Sequence, residues 1–217
     1  MNIFGTIARF FQDGGHFMYP IAVVLVIGVA IAIERYVYLT MVRAKNRSLW
    51  QQLEPMLQQG KFSQAAQVSS QSDSAIGQIL SYGLARVQGA RRRDDIEKAM
   101  EESLMGIVPK LEKRTHYLAT FANLATLLGL LGTVIGLIAA FGAVATVNPA
   151  EKANLLSASI SVAMNCTAFG LMTAVPLLVI HALLQTKTTE LIDSLEMASV
   201  KFLNAITERR AEAGQAA

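Results

Sequence analysis

Residues 155–180 read LLSASISVAMNCTAFGLMTAVPLLVI, an apolar run with no Asp, Glu, Lys or Arg. Crossing a hydrocarbon core of about 30 Å takes roughly 20 helical residues. Lipid offers no partner to backbone N–H and C=O groups, and an α-helix satisfies them within itself. The run therefore reads as a membrane-crossing helix. Two more acid- and base-free stretches, Phe17 to Ile33 and Ala119 to Val147, read the same way. The competing reading, helices buried in a soluble core, fits the composition poorly: hydrophobic residues make up 53% of the chain and charged ones 16%, when globular domains carry about 25% charged residues.

The cations set the orientation. Arg35, Arg43, Lys45 and Arg47 follow the first run, and Lys110, Lys113 and Arg114 precede the second. The other side has Arg9 with Asp13 and Lys152 with Glu151, close to neutral. By the positive-inside rule the cation-rich side is cytoplasmic, with the N-terminus periplasmic and the C-terminus cytoplasmic. The predicted fold class is an all-α membrane protein with three transmembrane helices, the second and third extended into the cytoplasm, plus a cytoplasmic helical insertion. Its parts are an N-terminal periplasmic, interfacial amphipathic segment (1–16), transmembrane helix 1 (17–40), the cytoplasmic insertion (41–115) and transmembrane helix 2 (116–147). A periplasmic loop (148–154), transmembrane helix 3 (155–185), a cytoplasmic helix (186–210) and a disordered tail (211–217) complete it.

Within the first segment, Ile3, Phe4, Ile7, Phe10 and Phe11 share a helical face, as in a helix lying along the membrane surface. The short apolar run and absent small-residue cleavage site argue against a cleaved signal peptide. In the insertion, apolar residues recur at helical spacing as Leu49, Leu53, Met56 and Leu57, then Ile76, Ile79, Leu80 and Leu84. Gly60-Lys61 and the polar run Ser69 to Ser74 punctuate these helices. Charged residues from Glu101 to Arg114 mark a solvated helix leading into the second span. Leu191, Leu195, Ala198 and Phe202 give the helix after the third span an apolar side.

Polar residues inside spans are costly and therefore informative. Strong charges are absent, and Thr126 and Thr133 remain in the second span, with Ser157, Ser159, Ser161, Asn165, Cys166, Thr167 and Thr173 in the third. Ser157, Ser161 and Asn165 repeat every four residues along one helix face. Such a stripe either lines an ion path or bonds helices together, and spacing alone leans to the second. Gly129, Gly132 and Gly136, with Ala163, Thr167, Gly170 and Ala174, form small faces for close helix packing. Pro176 predicts a local kink. His181, Glu34 and Arg35 fall at the cytoplasmic ends of spans, where solvated interfacial positions are the default.

Other function classes find little support. No phosphate-binding loop, nucleophile–base constellation or metal-ligand spacing is present, so neither an enzyme nor a cofactor or metal site is expected. The net charge of +3 comes from cations beside the spans, which argues against nucleic acid as a partner. Cys166 is the only cysteine, so no intrachain disulfide can form.

Gly129-Leu-Leu-Gly-Thr-Val-Ile-Gly-Leu137 followed by Phe141, and the run Ala163 to Pro176, resemble the MotA/TolQ/ExbB family. The likeness extends to Ala32-Ile-Glu-Arg-Tyr36 and Gly60-Lys-Phe-Ser-Gln-Ala65, and three spans resemble the ExbB and TolQ branch. The resemblance implies a bacterial inner-membrane homopentamer around a dimer of an ExbD- or TolR-like single-span partner that supplies an aspartate. It also implies a TonB- or TolA-like transducer, with TonB-dependent import as one such process. Thr133 and Thr167 match the family's pore-facing threonines, with Asn165 and Cys166 beside them as candidate ion-path residues. Where ExbB and TolQ lead one to expect a glutamate, this chain has Val162, and Thr126 replaces an expected proline. The expected ion is H+, with Na+ as the alternative. A stand-alone channel and a non-conducting membrane scaffold are the other function classes.

Overall fold

The computed structural model describes residues 10–11, 14–87, 92–145 and 147–215. Its elements are six α-helices among the described residues: α1 (Met18–Gln58), α2 (Phe62–Ser70), α3 (Ala75–Val87), α4 (Arg93–Glu112), α5 (Thr115–Val144) and α6 (Pro149–Gln215). The segments Met18–Gln58, Arg93–Val144 and Pro149–Arg209 are long and apolar enough to cross a membrane. The expected all-α membrane fold with three spans is thereby borne out.

The chain divides into two compact units, one comprising Met1–Glu34 and Arg114–Leu183, the other Arg35–Lys113 and Leu184–Ala217. The first contains the start of α1, all of α5 and the first part of α6. Their outward faces are apolar, as Val26, Ile138 and Met172 illustrate, which suits helices solvated by lipid rather than water. Phe10 and Phe11 pack edge-on against Phe169, with ring centroids 6.2 and 5.0 Å away. The rest of the predicted amphipathic face, Ile3, Phe4 and Ile7, lies outside the described residues. A Cβ on Gly132 would lie 3.2 Å from the Phe17 Cβ, which places the approach to α1 beside the middle of α5. From Gly132, α5 continues to Val144, roughly 18 Å further at 1.5 Å per residue.

The second unit has a core of large buried apolar side chains. Leu49, Leu53 and Leu57 of α1, Ile76, Ile79, Leu80 and Leu84 of α3, and Leu191, Leu195, Ala198 and Phe202 of α6 are buried on the faces that their spacing marks. Met56 is half-buried at the edge of its stripe. Gly83 lets α3 approach closely: a Cβ there would come within 2.7 Å of the Met100 Sδ and 2.9 Å of the Phe202 Cε1. Helix α1 ends where Gly60 adopts φ +73°. The Lys61 N–H then donates to the Met56 carbonyl at 2.9 Å and the Gly60 N–H to the Leu57 carbonyl at 3.1 Å, the paired bonds of a Schellman stop. Before α3, the Ser74 hydroxyl accepts from the Gly77 N–H at 3.1 Å and Asn46 Oδ1 from the Ile76 N–H at 3.2 Å, so two otherwise orphan donors are satisfied.

Three details refine the sequence reading. The path into the second span is two helices, because Lys113 leaves the helical region and Arg114 takes a left-handed conformation at φ 66°. Pro149 starts α6 inside the segment read as a loop, since its fixed φ suits a first helical position, and the Glu151 N–H donates to the Asn148 carbonyl at 3.0 Å. At the other end α6 stays helical to Gln215, past position 211, where the tail was expected to begin.

Candidate functional site

The glycines of α5 and α6 bring the two helix backbones together. A Cβ on Gly170 would sit 2.7 Å from the Ala125 carbonyl oxygen and 3.1 Å from the Gly129 Cα. One on Gly129 would sit 3.2 Å from the Thr167 Cα, and one on Gly132 would collide with the Cys166 Sγ. Gly136 has more room, its Cβ position lying 3.1 Å from the Ala163 Cβ. Gly129, Gly132, Gly136 and Gly170 thus form the packing seam that their spacing suggested. Close approach of this kind holds helices together where water cannot.

Close approach also lets a hydroxyl cross the seam. Thr167 Oγ1 donates to the Gly129 carbonyl at 2.9 Å. In α-helical register that same carbonyl faces the Thr133 N–H, four residues on. Thr133 Oγ1 donates to its own helix, at the Leu130 carbonyl, at 2.6 Å. The two threonines are therefore tied through one turn of α5, and both spend their protons on backbone carbonyls. Each hydroxyl oxygen keeps lone pairs, so each can accept a hydrogen bond from an acid or water, or face a cation.

The remaining candidates sit differently. Cys166 is 2% exposed, packed against Gly132 inside the seam. Asn165 is half-buried, and Ser157 and Ser161, which share its stripe, are exposed. Val162 is 38% exposed and lies beside the turn that precedes α1, its Cγ1 being 3.3 Å from a Cβ placed on Gly15. Pro176 lies within α6, which continues through it without interruption. Thr173 is buried, and its hydroxyl finds no hydrogen-bond partner among the described residues. No group of His, Cys, Asp or Glu side chains suited to a metal ion occurs among the described residues.

Arg35 departs from its expected solvated position. It is 2% exposed, its guanidinium donating to the carbonyls of Lys110 and Leu111 in the last turn of α4. A cation on the orphan carbonyls of a helix C-terminus satisfies them and complements the helix dipole. Its ring neighbour is Tyr38, whose centroid lies 4.7 Å from the guanidinium carbon. Glu34, in the other unit, stays exposed and pairs with Arg114 at 3.4 Å.

Three long apolar helices, a glycine seam and threonines bonded at that seam define an integral membrane protein built for close helix packing with few, mild polar groups inside. The MotA/TolQ/ExbB proton channel family matches residues 71–197, and the chain belongs to it. A relative from Methanothermobacter thermautotrophicus, described as a homolog of the biopolymer transport protein ExbB, is 28% identical over 199 residues, covering 91% of this chain and 69% of that protein.

Proposed function

We propose that this chain is the ion-conducting subunit of an inner-membrane motor that turns an ion-motive force into mechanical work on a periplasmic or outer-membrane partner. It assembles as a homopentamer around a dimer of an ExbD- or TolR-like single-span protein, with the N-terminus periplasmic and the C-terminus cytoplasmic. One observation carries the reading: the apolar runs hold no acid, while Thr133 and Thr167 keep acceptor capacity beside a close-packed seam. A path whose own groups only accept needs a proton-bearing carboxyl from elsewhere, and a partner aspartate supplies it. Val162 sharpens this, because the position that would hold a glutamate is apolar and leaves the partner as the source of the charge.

In this mechanism an ion from the periplasm neutralises the aspartate, which then moves past successive threonines as pentamer and dimer turn against each other. Release occurs toward the cytoplasm. Each elementary charge that crosses yields about 2.3 kcal/mol per 100 mV, so several crossings sum to one mechanical step. Work leaves through the partner's periplasmic part toward a TonB- or TolA-like transducer, as in TonB-dependent import. Protons are the favoured ion. Sodium is the second reading, favoured by the half-buried Asn165, whose carbonyl oxygen would add a ligand to two hydroxyls and a carboxylate.

The test is co-purification with a single-span, aspartate-bearing membrane protein encoded beside it, followed by flux in liposomes under separate proton and sodium gradients. Flux that requires both proteins supports the motor. Flux from this chain alone points to a stand-alone channel, and none with both present to a scaffold.

A further inference from the structure

The outer face of α1 changes character at Met41. Large hydrophobic residues stand exposed along it from Tyr19 to Met41, and none does so from there to the end of the helix at Gln58. Exposed Arg43 and Lys45 follow at once. An apolar surface that gives way to cations marks the level where hydrocarbon ends and lipid headgroups begin.

A cleft of about 180 Å³ lies at this level, within the second unit. Three elements line it. Helix α1 contributes Tyr38, Met41, Val42 and Lys45, whose spacing of three and four residues puts them on one face. Helix α4 adds Ile107 and Lys110, and the start of α3 adds Asp73 and Ala75. The charged groups of the lining are Lys45, Lys110 and Asp73, all exposed and none in an ion pair among the described residues. At the positive end of α3 the N–H groups of Ile76 and Gly77 are taken by Asn46 and Ser74, while that of Ala75 has no partner among the described residues.

Two unpaired lysines and a helix start suit a phosphate. A carboxylate beside them does not, unless the ligand brings its own cation, because like charges brought together are strongly disfavoured. A phosphodiester that carries an amine meets both demands. We infer that the cleft binds the headgroup of an ethanolamine phospholipid, with its phosphate at Lys45 and Lys110 and its ammonium at Asp73. The membrane supplies this occupant, since lipid surrounds the helix at the level of Met41. Met41, Val42 and Ile107 give the apolar part of the lipid a surface to follow. The site needs only the three-span fold and is independent of which ion is conducted and of any protein partner.

The experiment titrates the full-length protein in detergent with phosphatidylethanolamine or phosphatidylglycerol, each with and without inorganic phosphate, and counts bound lipid by native mass spectrometry. Phosphatidylethanolamine is expected to bind more tightly than phosphatidylglycerol. Lys45→Gln with Lys110→Gln weakens it by about thirtyfold, whereas Lys98→Gln, an exposed lysine of α4 that does not line the cleft, leaves it unchanged. Asp73→Asn removes the preference between the two lipids while keeping both bound. All four positions are exposed, so the variants keep the fold, which their unfolding temperatures check. Equal binding of the two lipids by the unsubstituted protein overturns the ethanolamine assignment. Binding that ignores the lysine pair overturns the site, and displacement of lipid by millimolar inorganic phosphate shows a site for a soluble anion instead.

Discussion

Each of the two units is packed internally by different means. In the unit that contains α2, α3 and α4, Phe202, Leu53, Ile79 and Leu80 are fully buried, and the periphery carries ion pairs such as Arg43–Glu190. In the unit with α5, the contact between helices is a line of missing side chains, with one hydroxyl crossing it. Water explains the contrast. Where water surrounds a bundle, burying large apolar side chains drives folding; where lipid does, leucine gains little by burial, and close packing with a few hydrogen bonds takes over. The same substitution should therefore act differently in the two places.

The largest expected effect is Phe202→Ala. Its side chain is fully buried against α3, and its loss should cost about 3–5 kcal/mol in the unfolding of the detergent-solubilised protein. Arg35→Met comes next, at about 1.5–3 kcal/mol, because charge-assisted bonds to two carbonyls at the end of α4 are lost. Hydrogen exchange would locate that effect in the last turn of α4. Gly170→Ala adds one methyl group and should cost about 1–3 kcal/mol, since the carbonyl it meets is backbone and cannot swing away. The smallest effect is Arg43→Ala: both partners of its pair are more than half exposed, so the change should stay within about 1 kcal/mol. If Gly170→Ala proved neutral while Phe202→Ala behaved as expected, the glycine seam would lose its structural role.

Much of this was legible in the chain itself. The three spans follow from uncharged length, and the cores at Leu49, Leu53 and Leu57 and at Leu191, Leu195 and Phe202 follow from helical period. Burial of Arg35 was not legible, because its carbonyl partners lie some 75 residues away and a cation at a span end defaults to water. The break at Lys113–Arg114 was hidden for a related reason: no glycine marks the left-handed residue. Spacing made the Gly129 to Gly170 seam visible, but not that the Thr167 hydroxyl would bridge it to a carbonyl 38 residues earlier. Cys166 was expected among the ion-path residues together with Thr167, and it packs against Gly132 in the seam, a contact with α5 that spacing along α6 alone does not reveal.

The central claim is that the hydroxyl at Thr167, placed beside the seam, takes part in carrying the ion. The most direct measurement is flux through the complex with its single-span partner in liposomes, comparing Thr167→Val and Thr167→Ser after membrane insertion and assembly are verified. Valine keeps the shape and removes the hydroxyl, whereas serine keeps both the hydroxyl and its bond to the Gly129 carbonyl. The account predicts that valine abolishes flux and serine retains it. A fully assembled Thr167→Val complex conducting at the unsubstituted rate would contradict it.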